Sequence, residues 1–108
     1  MLVWWGTPVE CVSALSRRER DESLKASDVS IALARLHALS SHWHEVLPTT
    51  ALRTLAERLL RVHPLRAADS FQLAAAITAA EREPVSLDFV SLDDRLKDAA
   101  AREGFRVL

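Results

Sequence analysis

Apolar residues recur at three- and four-residue intervals along most of the chain, and this is the period of an amphipathic helix. Between residues 26 and 41, Val29, Leu33 and Leu36 fall on one face in this way. Together with capping and helix-breaking residues, the pattern predicts five helices. They cover residues 8–20, 26–41, 50–62, 66–81 and 94–103.

Four short apolar segments lack the helical period and are predicted to be strands. They are Leu2–Trp5, Glu45–Leu47, Asp88–Leu92 and Phe105–Leu108. The last two flank the fifth helix, which Gly104 follows as a C-terminal glycine cap. This strand–helix–strand order implies a parallel strand pair with a right-handed crossover. With strands at both ends and helices between them, the expected fold class is α/β.

The first and fifth helices have acidic or hydroxyl residues at their starts that predict caps. Thr7 is expected to be the N-cap of the first helix, with Pro8 at the first helical position and Glu10 three residues after the cap. This spacing is that of a capping box. At the fifth helix, Asp94 is the better candidate for the N-cap than Asp93.

Composition and charge narrow the functional classes. The chain has 108 residues, of which 49% are hydrophobic and 27% charged, so we expect one globular domain over residues 1–108. A net charge of -1 excludes nucleic-acid binding through bulk positive charge. It does not exclude a nuclease, because divalent cations between carboxylates would supply the positive charge. One cysteine, Cys11, and no long apolar run predict a soluble, cytoplasmic protein without a membrane segment.

Three acidic residues occur at the same kind of position. Glu10 and Asp69 are in the first turns of predicted helices, and Asp93 directly follows a predicted strand. In a parallel α/β sheet, strand C-termini and helix N-termini share one edge, where ligands bind. Carboxylates that meet there suit Mg²⁺, which takes a few such ligands together with water and substrate phosphate.

Each acid also has a purely structural interpretation. The capping box is enough to explain Glu10. A favourable interaction with the helix dipole is enough to explain Asp69. His63, which precedes Pro64 in a loop near Asp69, is a candidate for phosphate contact but is better explained by packing. Spacing alone therefore leaves open whether the acids are ligands.

Three segments resemble PIN domains, in that family's order and at about its spacing, and the closest likeness is to the VapC-type toxins. They are Trp4–Cys11, Arg66–Ala76 and Phe89–Leu96. The resemblance covers essentially the whole chain. It implies a three-layer sandwich, in which helices flank a short parallel sheet.

The resemblance also implies a function, that of a metal-dependent endoribonuclease that hydrolyses RNA phosphodiester bonds. Glu10, Asp69 and Asp93 fall on the family's second, third and fourth acidic positions, and these would ligate Mg²⁺ or Mn²⁺. Ser91 matches a small hydroxyl position, and Arg66 is a candidate phosphate contact. A cognate antitoxin and a homodimer are the partners that the resemblance implies.

The chain departs from the family pattern before Glu10. PIN domains usually open with a strand that ends in an Asp, and no Asp precedes Glu10 here. We expect the chain to be a fragment that lacks this first strand. The alternatives are a sheet that closes directly between the first strand and Phe89–Leu92, or one that a second copy completes. Without the first acid, an inactive PIN-like interaction module that binds an antitoxin or a second protomer is the alternative function.

Overall fold

A computed structural model describes residues 1–81 and 83–108 of the chain. The described residues form a mixed α/β structure with five α-helices, four short strands and one 3-10 turn. The elements are β1 (Leu2–Trp4), α1 (Thr7–Arg20), α2 (Ala26–Ser40), β2 (His44–Val46), α3 (Thr50–Val62), α4 (Ala67–Ala79), the 3-10 turn Pro84–Ser86, β3 (Asp88–Phe89), α5 (Asp94–Arg102) and β4 (Arg106–Val107). All five predicted helices are confirmed, with ends within two residues of the prediction.

The chain forms two compact units, unit 1 (Met1–Glu45) and unit 2 (Val46–Leu108). The expectation of a single domain over residues 1–108 stays a prediction. Each unit contains a pair of packed helices, α1 with α2 in unit 1 and α3 with α4 in unit 2.

Unit 1 is a helical hairpin that begins with β1. A tight turn joins its helices, in which the Asp21 carboxylate accepts hydrogen bonds from the Ser23 amide (2.9 Å) and hydroxyl (2.6 Å). The strand β1 pairs with β2, and the His44 amide donates to the Met1 carbonyl at 2.9 Å. Val29 is the buried apolar residue of this unit among the residues that the structure describes.

The start of α1 differs from the prediction. Gly6, not Thr7, is the N-cap, and no side chain caps the helix. Gly6 already has helical backbone angles (φ -79°, ψ -5°), so Thr7 lies inside the first turn and cannot adopt the extended conformation of a capping residue. A Cβ atom at Gly6 would lie 2.5 Å from Nε1 of Trp4, so a capping side chain would also collide with this indole.

Unit 2 contains nearly all of the buried core. One face of α3 is apolar at helical spacing, and it packs against small and branched residues of α4. The buried residues of these two helices are Leu52, Leu55, Ala56, Leu59, Ser70, Leu73, Ala74, Ala75 and Ile77. Thr49 caps α3 by accepting a hydrogen bond from the Leu52 amide at 3.1 Å.

The C-terminal part of unit 2 is the expected parallel strand–helix–strand unit. β3 pairs with β4 in parallel, with Asp88 opposite Arg106 and Phe89 opposite Val107. Gly104 follows α5 with a φ of 101°, a left-handed conformation that favours glycine, so the predicted C-terminal glycine is confirmed. The buried Phe89 and Phe105 rings pack against each other, with their centroids 5.6 Å apart.

One prediction about the strands is wrong. The predicted strand Asp88–Leu92 pairs only over Asp88–Phe89, because β4 offers just two partner residues, and Leu92 is 98% exposed. In addition, the described strands form two separate two-stranded sheets, β1 with β2 and β3 with β4.

Candidate functional site

An open cavity of about 320 Å³ lies in unit 2, where the N-termini of α4 and α5 approach each other. Five charged side chains line it: Arg66, Asp69, Asp93, Asp94 and Arg95. The first two come from the start of α4 and the other three from the start of α5. Thus the fold brings two of the three predicted acids, which are distant in sequence, to one cavity.

Asp69 occupies the first turn of α4 and is half-buried. The N-cap of this helix is Arg66, whose backbone is extended (φ -82°, ψ 162°) and whose side chain makes no capping hydrogen bond. The next residue, Ser70, is buried and donates its hydroxyl to the Ala67 carbonyl at 2.8 Å. Burial of Ser70 anchors the turn that presents Asp69 to the cavity.

Asp93 is the N-cap of α5, so the expectation that Asp94 has this position is wrong. Its Oδ1 accepts a hydrogen bond from the Leu96 amide at 3.0 Å. Its own amide donates to Oγ of Ser91, also at 3.0 Å. The polar turn Ser91–Asp93 makes Asp93 the last extended residue (φ -87°, ψ 118°), and the helix begins only at Asp94. The capping hydrogen bond uses only Oδ1 of the Asp93 carboxylate, so Oδ2 can take part in another interaction.

Ser91, a predicted substrate-binding residue, thus contacts the backbone of Asp93, and it is not among the residues that line the cavity. Its hydroxyl orients the turn that carries the acid. A direct contact between Ser91 and substrate stays a prediction.

The charges of the cavity are not neutralised in pairs. Within residues 1–81 and 83–108, the ion pairs are His63 with Glu103 and Arg106 with Asp88, and neither involves a residue that lines the cavity. The carboxylate of Asp69 and Oδ2 of Asp93 are therefore open to a ligand, as are the two guanidinium groups. No group of three or more His, Cys, Asp or Glu side chains close enough to hold a metal ion is found among the described residues.

Glu10, the other predicted acid, belongs to unit 1. It is half-buried in the first turn of α1, where its amide donates to the Gly6 carbonyl at 3.2 Å as part of the helix. Its convergence with Asp69 and Asp93 stays a prediction. Burial raises the pKa of the adjacent Cys11 thiol, and the charge of Glu10 raises this pKa further. A raised pKa disfavours the thiolate, which argues against Cys11 as a nucleophile.

His63 packs in the protein interior, which agrees with the packing interpretation. The residue is 6% exposed, and its Nε2 lies 2.8 Å from Oε2 of Glu103. This contact joins the end of α3 to the end of α5. The residue is not part of the cavity lining.

Sequence reasoning missed Arg95 as a residue of this cavity. One signal was present, because a cation in the first turn of a helix opposes the helix dipole and has no stabilising role there. The same reasoning applies to Arg66 at the N-cap of α4, which the resemblance did bring forward as a phosphate contact.

Comparison with protein-family models, curated proteins and solved structures finds no match to this chain. Among the helices that the structure describes, none is both long and apolar enough to span a membrane. The cavity in unit 2 is the feature from which a function can be argued.

Proposed function

We propose that the protein is a metal-dependent ribonuclease of the PIN-domain, VapC-like type, which hydrolyses RNA phosphodiester bonds. The observation that carries this proposal is the meeting of Asp69 and Asp93 in one open cavity beside Arg66. These residues lie in two of the three segments that resemble PIN domains. The finer fold of that family, a three-layer sandwich around a parallel sheet, is part of the proposal, as is a cytoplasmic location.

The chemistry of the donor set fits a hard divalent cation. Asp69, Asp93 and Asp94 offer only carboxylate oxygens, and Mg²⁺ or Mn²⁺ prefers oxygen ligands. Mg²⁺ commonly keeps several waters and takes one or two carboxylates from the protein, so a pair of open carboxylates is enough to hold it. Asp69 and Oδ2 of Asp93 would be these ligands, with Asp94 as an outer participant, and the resemblance to PIN domains is the reason to test Glu10 as well.

A bound cation would offset the charge that develops on the scissile phosphate and would activate the attacking water. The protein's own groups position the substrate. Arg66 carries five N–H donors in a planar fork that matches a phosphate, so it is suited to hold the RNA backbone. Asp93 is rigid because its Oδ1 is bound to the Leu96 amide. Such preorganisation keeps a carboxylate in place while a substrate binds.

A second function, an interaction module that binds an antitoxin or a second protomer, is favoured by the apolar surface of unit 1. Val9 and Val12 lie three residues apart on α1 and are 72% and 41% exposed, and Trp5 in the turn before this helix is 53% exposed. Contiguous exposed apolar side chains of this kind mark protein interaction sites. In the proposed ribonuclease, the antitoxin and the homodimer would use such a surface.

The test is cleavage of a single-stranded RNA by the full chain with added Mn²⁺. We expect Asp69→Asn and Asp93→Asn to reduce the rate by about 100-fold or more, as loss of one preorganised charged group does at other sites. Asn is a good N-cap, so Asp93→Asn removes the charge and keeps the start of α5. Asp98→Asn, an exposed Asp on the same helix outside the cavity, is the matched control and should cleave at the wild-type rate.

Calorimetric titration with Mn²⁺ distinguishes the two functions. Saturable binding that is lost in Asp69→Asn supports the ribonuclease. Absence of both binding and cleavage in the wild-type chain refutes the ribonuclease and leaves the interaction module. Cleavage that persists in both cavity variants would show that these acids are not the catalytic residues.

A further inference from the structure

We propose that Arg95 is a second phosphate-binding residue, so that a nucleic-acid strand is held by two guanidinium groups, Arg66 and Arg95, in the cavity. This inference rests on the proposed function, because it assigns a role within the same cavity. The sequence singled out only Arg66 for phosphate contact, and the position of Arg95 is a finding of the structure.

The first support is that Arg95 has acidic neighbours on its helix, and none of the described ones forms an ion pair with it. Asp93 and Asp94 precede it in the chain and line the same cavity, and Asp98 lies one turn further along α5. Nonetheless, no ion pair joins Arg95 to a residue in the described part of the chain. An exposed guanidinium that faces a cavity and keeps its donors open can accept an anionic ligand without breaking a protein contact.

The second support is that Arg95 provides neither the cap nor the buried face of its helix. Asp93 provides the N-cap of α5, and the apolar face of the helix is formed by Leu96, Ala99 and Ala100. A cation in the first turn opposes the helix dipole. An arginine that opposes the dipole and forms no ion pair within residues 1–81 and 83–108 is better explained by an interaction with a ligand than by folding.

The third support is that Arg95 offsets part of the negative charge of the cavity. Three carboxylates and two guanidinium groups line it, which leaves a net formal charge of -1. Without Arg95 the charge would be -2, which would repel a phosphate more strongly. Arginine is also the side chain that matches phosphate geometry best, because its planar fork forms two parallel hydrogen bonds. The two arginines stand on different helices, α4 and α5, so one strand can contact both.

The experiment measures binding without cleavage. A fluorescein-labelled oligouridylate is titrated with the full chain in EDTA, and the dissociation constant is followed by anisotropy from ~50 to ~200 mM salt. Each phosphate contact to a single strand contributes about 0.7 to the slope of log K against log salt. Arg95→Gln should therefore lower the magnitude of this slope by about 0.7 and weaken binding at low salt.

The controls separate a specific contact from general charge. Arg102→Gln removes the same charge from the exposed far end of α5, outside the cavity, and should leave the slope unchanged. Arg95→Lys keeps the charge and should retain the wild-type slope. An unchanged slope in Arg95→Gln, or the same change in Arg102→Gln, overturns the inference. So does a chain that binds no oligonucleotide at any of these salt concentrations.

The outcomes also distinguish this inference from the proposed function. A chain that shows the Arg95 effect on binding but cleaves no RNA with Mn²⁺ supports the phosphate site and refutes the ribonuclease. A chain that cleaves through Asp69 and Asp93 with no Arg95 effect supports the ribonuclease and refutes the role of Arg95.

Discussion

Units 1 and 2 are each built on a pair of packed helices, yet they bury their apolar residues to very different extents. Of the described residues, Val29 is buried in unit 1, whereas unit 2 buries residues from α3, α4, α5 and β3. In unit 1, Ile31 and Leu39 are more than half exposed. The hydrophobic stabilisation of a region grows with the apolar area that it removes from water. Unit 2 should therefore be the more stable region.

The composition of the helices explains the contrast. α3 has an apolar stripe of Leu52, Leu55 and Leu59, and α4 opposes it with alanines that allow close approach. Half of α1, by contrast, consists of Ser, Arg and Glu, and none of its residues is buried. A helical period is therefore sufficient to form a helix in both units, but only unit 2 has opposing faces that build a core. The cavity with Asp69 and Asp93 lies in this better-packed unit, which suits a site that needs fixed geometry.

The largest expected effect is that of Leu59→Ala, which removes a side chain with no exposed surface. We expect a loss of about 2–5 kcal/mol in the free energy of unfolding of unit 2, because a buried Leu→Ala change leaves a cavity. Urea denaturation followed by far-ultraviolet circular dichroism measures this loss. All three tryptophans, Trp4, Trp5 and Trp43, lie in unit 1, so their fluorescence reports that unit separately.

The control is Leu39→Ala, the same change at a residue of unit 1 that is 57% exposed, and its effect should stay within about 0.5 kcal/mol. In the wild-type chain, the fluorescence transition should precede the transition seen by circular dichroism. If the two transitions coincide and Leu59→Ala shifts both of them, the two units unfold as one. The proposed difference in stability between units 1 and 2 would then be wrong.

An intermediate loss in the free energy of unfolding is expected when a buried polar contact of unit 2 is removed. Glu103→Leu removes the partner of His63, whose side chain is 4% exposed, and leaves Nε2 without its hydrogen bond. An unsatisfied buried polar group costs about 1–3 kcal/mol, which thermal or urea denaturation would detect. Glu103→Gln retains an oxygen at this place and should cost less. Equal stability of all three proteins would mean that the contact does not hold α3 and α5 together.

The smallest loss in the free energy of unfolding is expected from substitutions at the start of α5, which contributes to the candidate site. Asp93→Ala removes the cap of α5 and should destabilise unit 2 by about 1 kcal/mol, whereas Asp93→Asn should be nearly neutral. Asp94→Ala removes an acid from the first turn but no cap, so a smaller loss is expected. If Asp94→Ala costs more than Asp93→Ala in urea denaturation, the assignment of the cap is wrong.

Much of the secondary structure could be predicted from local signals. Helix α3 was predicted at its observed ends, because Pro48 and Pro64 flank a regular apolar stripe. Gly104 and the parallel pair β3–β4 were likewise foreseen from a helix between two short apolar segments. Apart from the length of the strand Asp88–Leu92, the local predictions that were wrong concern single residues at helix starts, Thr7 and Asp94. There the choice between neighbouring capping residues depends on backbone angles that side-chain type does not reveal.

The candidate site was only partly predictable. The helix-start positions of Asp69 and Asp93 were visible in the sequence, and the resemblance to PIN domains gave them a chemical meaning. Arg95 was not found, because an arginine beside two aspartates suggests surface ion pairs. Which charges pair with each other is decided by distances of a few ångströms, and periodicity carries no information on those distances.

By itself, the sequence determined the helices, their approximate ends and the parallel order of the last two strands, because these follow from hydrogen bonding and apolar spacing between near neighbours. Only the tertiary structure decided that β1 and β3 belong to separate sheets, that unit 2 holds most of the buried core, and that Asp69, Asp93 and Arg95 share one cavity. Those outcomes depend on contacts between residues far apart in the chain, whose energies arise from packing and desolvation in three dimensions.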